Sequence, residues 1–531
     1  MRSSMPGTHS HPHDTLTPES AIRLRSRITI PQVATVLAAT VLVAAPLLGV
    51  NGEILDQQVA GGEGYTVLRV WGGHYDMGYA HGHLMHSEIA LAVEEARSED
   101  LYLIARAAII LHSTWAPAEI EDEFDGMVDV LAVLEPNTAI DKVDLKVVNL
   151  ASDLLYMDYA CRSHSCWGHF VAAPIKTIST RRLDFNLSAS SANHHVLCVW
   201  LPTDGSPAWA NLGWPGYVCC VTGVNEFGTV ASLHDYDSNS DLPLVPWLGR
   251  SAAARYALTM VTDPDLSTHA DDVYAELQNY NAGTGSFINY YVPDGHGGVI
   301  TCRRTPAPTF YKLRKPHPAY FGGDCLVTTN SETDGSYTPA DGRFMEDYYE
   351  DLEDANETAT LLSHWDLMNN TGLHKMTIGY RDRRDLTVWF DGDLKHGRTP
   401  RVELEWTDLD TRRSLTLNVV NGSWGTVDVD PNQPIFEPNQ LVTLTATPID
   451  GKGFKQWEIY DPNHPGDANY AVVDANDSIA IVMSVDREVT AVFKCGGAGQ
   501  ALPLFVIGVA LCGFAARRGR RSADRQAEDL R

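Results

Sequence analysis

Residues 160–185 read ACRSHSCWGHFVAAPIKTISTRRLDF, and the reading of this stretch decides the fold. Cys161 and Cys166 open a run with strand character, a turn follows near Ala173-Pro174, and a second β-prone run ends in Arg181-x-x-Asp184. Two antiparallel strands joined at that turn fold the second back on the first and bring Arg181 and Asp184 toward the cysteine end. A thiolate is a far better nucleophile than a thiol, and a neighbouring cation favours it. Arg181 is therefore the predicted partner of a nucleophilic cysteine, with Asp184 holding a nearby amine. The pattern suggests a cysteine made N-terminal by cleavage. The plainer alternative for Arg181 and Asp184 is a surface ion pair.

Further motifs flank the hairpin in order. Before it, residues 67–86 (VLRVWGGHYDMGYAHGHLMH) read as a strand, a glycine turn and a helix. After it come GVNEFG at 223–228 with a strand over 229–233, a strand pair over 285–302, and TTNS at 328–331. On these residues the chain resembles the N-terminal-nucleophile hydrolases, specifically the acyl-coenzyme A:isopenicillin N acyltransferase-like branch, over roughly residues 60–400. The resemblance implies a four-layer αββα sandwich, which periodicity alone does not give. It also implies self-cleavage before the nucleophile, an active-site amide at Asn330, and an ordering role for Arg343, thirteen residues further on. Asn330 has a plain turn role as its alternative.

The resemblance leaves two cysteines open. Cys161 stands six residues before Trp167-Gly168, as in relatives with a Trp-Gly in this hairpin, and is the favoured nucleophile. Cys166, eighteen residues before Asp184, fits a shorter hairpin and is the alternative. The family's nucleophile is usually followed by Ser or Thr; here Arg162 or Trp167 follows. At the end of the strand after Gly228 relatives often place an Asn as a second oxyanion donor, where this chain has His234-Asp235. His234 is the candidate there.

The chain has 531 residues, 44% of them hydrophobic and 20% charged, which predicts a globular protein of more than one domain. A formal net charge of −28 excludes a nucleic-acid partner, because no basic face is available to neutralise phosphates. Nine cysteines show no paired Cys-x-x-Cys spacing. His81, His83 and His86 fall on the first predicted helix and read as helix residues, so neither metal nor cofactor is predicted.

Both ends read as export signals. Arg23, Arg25 and Arg27 precede an apolar run over 33–50, a signal peptide ending near residue 52, with an uncleaved signal anchor as the alternative. At the other end Cys495 precedes an apolar run over 502–516 and then Arg517, Arg518, Arg520 and Arg521. This pattern resembles bacterial C-terminal sorting signals; a plain tail anchor is the alternative. The predicted partners are accordingly export and sorting machinery and a membrane or cell surface.

Helix periodicity runs through 85–108 and 120–134 and returns at 249–260 and 270–280 among β-rich segments. Strands and helices in separate blocks point to α+β layers. From about residue 417 short alternating strands with Thr-Pro and Asn-Gly turns resemble the internalin B-type repeat, with Trp457 read as core. The predicted organisation is 1–52 signal, 53–160 helical leader, 161–415 catalytic domain, 416–494 β-module and 495–521 sorting segment. The expected function is a surface-exported, autoproteolytic cysteine-nucleophile amidohydrolase or acyltransferase acting on a small-molecule amide. The competing class is a surface binding protein with this fold and no chemistry.

Overall fold

In the computed structural model the described residues are 50–60, 63–111, 117–154, 161–183, 193–235, 249–260, 270–277, 286–291, 298–303, 310–315, 323–329, 339–368, 374–391, 401–433, 435–437, 440–460, 470–483 and 486–495. The two apolar terminal runs, and with them the signal and sorting readings, lie outside these residues. Among the described residues no helix is long and apolar enough to cross a membrane.

The chain begins with β1 (Gly52–Ala60) and β2 (Glu63–Gly72), then α1 (His74–Leu84), α2 (His86–Ser98), α3 (Tyr102–Leu111), α4 (Ala118–Leu134) and α5 (Lys142–Leu154). The helix expected over 85–108 is thus two, broken at Glu99-Asp100 where the Glu99 backbone turns extended. The predicted hairpin follows as β3 (Arg162–Trp167) and β4 (Thr177–Leu183). Next come β5 (His194–Pro202), β6 (Trp209–Gly213), β7 (Thr222–Asn225), β8 (Val230–Asp235), α6 (Arg250–Thr259) and α7 (Ala270–Leu277). Then follow β9 (Ser286–Tyr291), β10 (Gly298–Arg303), β11 (Phe310–Arg314), β12 (Cys325–Thr329), α8 (Pro339–Ala355) and α9 (Leu361–Leu367). β13 (His374–Asp382), β14 (Asp385–Asp391), β15 (Val402–Glu405) and α10 (Trp406–Leu409) close this part.

Two sheets result. One has the order β1-β2-β5-β6-β7-β8-β9-β10-β11, antiparallel except for the parallel β2–β5 pair; the other runs β12-β3-β4-β13-β14-β15. Side chains alternate along each strand, so each sheet has two faces to bury. Val67, Leu197, Val199 and Leu212 of the first sheet meet Met376, Ile378, Val388 and Phe390 of the second. The opposite face of the first sheet, through Leu68, Val70, Val196 and Trp200, packs under Met77, Phe124 and Met127 of the helices. On the far side of the second sheet, Cys166, Ile178 and Val327 pack against Tyr349 and Leu352 of α8. The layers are therefore helix, sheet, sheet, helix, and the α+β, four-layer expectation holds.

The leader helices are tied to this sandwich by close packing and a buried charge. In α4 the residues Ile120, Phe124, Met127 and Leu131 recur at helical spacing and face the core. Where α1 crosses α4, a Cβ on Gly78 would stand 2.0 Å from the Glu123 carbonyl oxygen, so only glycine allows the contact. Beside it Glu123, fully buried, accepts from Arg255 Nη1 and Nη2 at 2.5 and 2.6 Å, and its Oε1 lies 2.8 Å from His74 Nδ1. Burial opposes the Glu123 charge, but Arg255 and then His74 outweigh it and hold the carboxyl below its usual range.

The C-terminal part is a separate small core. β16 (Arg413–Val420), β17 (Gly425–Asp430), β18 (Ile435–Phe436), β19 (Leu441–Pro448), β20 (Lys452–Tyr460), β21 (Tyr470–Asp474), β22 (Ser478–Val482) and β23 (Arg487–Cys495) form sheets ordered β18-β16-β23-β20-β21 and β17-β19-β22. Val442, Leu444, Ile481, Val489 and Phe493 enclose a fully buried Trp457, whose Nε1 donates to Asn476 O at 3.0 Å.

Candidate active site

Strand register carries the hairpin's chemistry to one end of the space between the sheets. β3 and β4 pair with Ser163 opposite Arg181 and Arg162 opposite Arg182. Opposed residues on paired strands point to the same side, so Ser163 and Arg181 share a face. Cys161, two residues before Ser163, continues that face; Cys161 and Leu183 lie in one buried cluster, and Cys161 is 1% exposed. β13 adds His374 opposite Leu183. From the facing sheet, β7 and β8 bring Thr222, Ser232 and His234, all buried.

Polar contacts span the two sheets here. Ser163 Oγ and His234 Nε2 stand 2.7 Å apart, Ser232 Oγ donates to Ser163 Oγ at 3.3 Å, and Thr222 Oγ1 lies 3.0 Å from His374 Nε2. Arg181 donates from Nη2 to Leu233 O and from Nη1 to Arg182 O. Its Nε has no partner among the described residues, and no carboxylate there meets it. Arg181 is 1% exposed, which corrects the surface-ion-pair alternative. Burial, with His195 and Arg181 nearby, keeps His374 well below the usual imidazole range and so neutral. Burial likewise pushes the neighbouring Cys220 thiol up, with Cys219 adding to it, while Arg255 and Arg181 oppose.

Cys166 is five residues from Cys161 and therefore on the other face of β3. It lies in the outer layer with Tyr349, and its Sγ is 3.2 Å from His364 Nε2. Burial first of all raises its thiol well above the ordinary range. The structure thus separates the two cysteines: Cys161 continues the face of Ser163 and Arg181 and joins the buried cluster of Leu183, whereas Cys166 packs under α8. Between the hairpin strands Gly168 has φ +57°, and a Cβ there would stand 2.2 Å from Asp324 Oδ2.

Asp184, Asn330 and the side chain of Arg343 lie outside the described residues. Arg343 falls within α8. Thr329, the residue before Asn330, pairs with Arg162 of β3. Sequence reading did not single out Ser232, Thr222 or His374. Ser163 was legible in the strand period, since residues 161 and 163 share a face.

The remaining histidines of α1 and α2 go to local partners. His81 Nε2 accepts from Gly216 N at 3.2 Å, and burial lowers its pKa to about 4. His83 stacks on Tyr79, and His86 Nδ1 lies 2.6 Å from Glu135 Oε1. In the GVNEFG turn, Asn225 Oδ1 accepts from Phe227 N and Thr229 N, both at 3.0 Å, and Glu226 pairs with Arg383 and Arg412. That motif is a structural latch. A cavity of about 310 Å³ lined by His74, Trp209, Arg255 and Glu276 lies apart from Cys161. Trp209 is on the helix-facing side of its sheet and pairs with Asn225, three residues along β7 from Thr222.

Residues 415–497 match the family model described as a divergent InlB B-repeat domain. No curated protein matches the chain in sequence. Among solved structures, the chain is similar to a mutant conjugated bile acid hydrolase from Clostridium perfringens at 10% identity and TM-score 0.32, over 47% of this chain and 93% of that one. It is also similar to a Caenorhabditis elegans N-acylethanolamine-hydrolyzing acid amidase orthologue at 14% identity and TM-score 0.28, over 41% and 92% of the two chains. A third is penicillin V acylase from Agrobacterium tumefaciens at 14% identity and TM-score 0.28, over 47% and 87%.

Proposed function

We propose that this chain is an exported amidohydrolase of the N-terminal-nucleophile kind, with Cys161 as nucleophile after cleavage of the 160–161 peptide bond. The observation that carries the reading is Arg181: a fully buried guanidinium on the face that Cys161 continues, with carbonyl partners and no carboxylate among the described residues. An uncompensated buried cation costs several kcal/mol, and an anion formed beside it recovers that cost. The Cys161 thiolate is such an anion.

In the precursor, Cys161 Sγ attacks the carbonyl carbon of residue 160, the C–N bond breaks, the nitrogen takes up the thiol proton and becomes the new amine, and water hydrolyses the thioester to a carboxylate and the free thiol. The freed α-amine, with an ordinary pKa of about 8, then serves as general base for its own thiol. The thiolate attacks the substrate amide carbonyl, the amine leaves with a proton, and water releases the acyl group. Ser163 Oγ, held by His234, stands ready to donate toward developing negative charge, a role the resemblance gives in part to Asn330. The resemblance gives Asp184 the holding of the new amine and Arg343 a part in ordering the site. The substrate class is a small-molecule, non-peptide amide. The repeat module supports display at a cell surface.

Intact mass and N-terminal sequencing of the purified protein test the reading. A new N-terminus at Cys161 that is lost in Cys161→Ala supports it; an N-terminus at Cys166 moves the role there.

A further inference from the structure

Among the described residues β12 is the edge strand of the six-stranded sheet and bonds only to β3, with Cys325 directly opposite Cys166. Trp167 N donates to Asp324 O at 3.0 Å, which makes Trp167–Asp324 the hydrogen-bonded pair. In an antiparallel ladder the next pair is then non-hydrogen-bonded, with Cα atoms about 4.5 Å apart and side chains leaving the sheet on the same side. That separation falls within the span of a disulfide. Both side chains lie in one apolar cluster under α8, Cys166 at 0% and Cys325 at 8% exposure.

We propose that Cys166 and Cys325 close a cross-strand disulfide that staples β12 to β3. The bond goes beyond the amidase reading and rests on export only for its oxidant, a small-molecule or protein disulfide of an oxidising compartment. One cysteine Sγ attacks the oxidant's disulfide and releases one thiol. The other Sγ then displaces the second, so two thiols lose two electrons and two protons and the oxidant leaves as two thiols. The proton of the attacking thiol passes to the departing thiolate. Because burial disfavours the Cys166 thiolate, the bond closes while β12 is still docking.

The consequence reaches the active end of the hairpin. A bond at Cys166 fixes the register of β12 on β3 over Thr329 and Arg162, the pair next to Cys161. It also removes Cys166 from competition as a nucleophile.

The test is non-reducing peptide mapping of the full-length exported protein, harvested with N-ethylmaleimide present and unfolded before digestion. The expected result is a peptide pair joining Cys166 to Cys325, about 2 Da lighter than the two thiol peptides together and separated by dithiothreitol. Recovery of both cysteines as maleimide adducts overturns the proposal. Processing at Cys161 is read on the same sample. An uncut chain with the linked pair keeps the disulfide and rejects the hydrolase reading; a cut chain with both adducts does the reverse.

Discussion

Replacing Arg181 with methionine removes the buried cation while keeping much of the side-chain volume, and the size of the effect follows from register. Arg181 is opposite Ser163, so Cys161 is its diagonal neighbour, about 7 Å away on the same face. At an effective dielectric constant of about 20, unit charges at about 7 Å attract by roughly 2.4 kcal/mol. That attraction corresponds to about a 50-fold faster step wherever negative charge builds at Cys161. The assay is the rate of iodoacetamide alkylation at Cys161 in the processed protein at one fixed pH, read by peptide mass, with exposed Cys495 as internal reference. Arg181→Met is expected to slow alkylation of Cys161 by about 50-fold and leave that of Cys495 unchanged, while Arg181→Lys, which keeps the charge, stays close to wild type. Equal rates in wild type and Arg181→Met would refute the claim that Arg181 stabilises the thiolate.

Other outcomes follow from the leader helices. Glu123→Gln leaves Arg255 buried without its anion and is expected to destabilise the protein by about 3 kcal/mol, read as a lower urea midpoint. His74 is opposed by burial but held up at about 9 by Asp204 and Glu123, above its ordinary value. Its contribution is fully present below about pH 6.5 and is lost as pH rises through about 9, so urea midpoints should fall across that window and fall less in His74→Gln. Gly78→Ala places a methyl 2.0 Å from the Glu123 carbonyl oxygen and is expected to cost about 2 kcal/mol or more by the same measurement.

The hairpin was legible in sequence because alternation and its turn are local: β3 and β4 lie within the stretch that suggested them. The same holds for α6 and α7, whose apolar periods predicted them to within a few residues. What the sequence could not supply was which face of β3 looks at the nine-stranded sheet. The spacing of five residues already puts Cys161 and Cys166 on opposite faces, yet only the packed layers show that Cys166 faces α8 and not the inter-sheet space. The Ser163–His234 contact depends on a partner 71 residues away across a sheet interface, which local propensity does not encode. The surface-pair alternative for Arg181 stayed open in the sequence for the same reason, since its burial involves β8, whose Leu233 carbonyl it meets, across the interface. The single predicted helix over 85–108 failed because continuous apolar periodicity hid a backbone break at Glu99.

The central claim is that Cys161 becomes an N-terminal nucleophile. N-terminal sequencing and intact mass of the exported protein, beside Cys161→Ala and Cys166→Ala, test it most directly. The account predicts a chain beginning at Cys161 in wild type and Cys166→Ala and an uncut chain in Cys161→Ala. An uncut chain in all three, or cleavage that persists in Cys161→Ala, would contradict it.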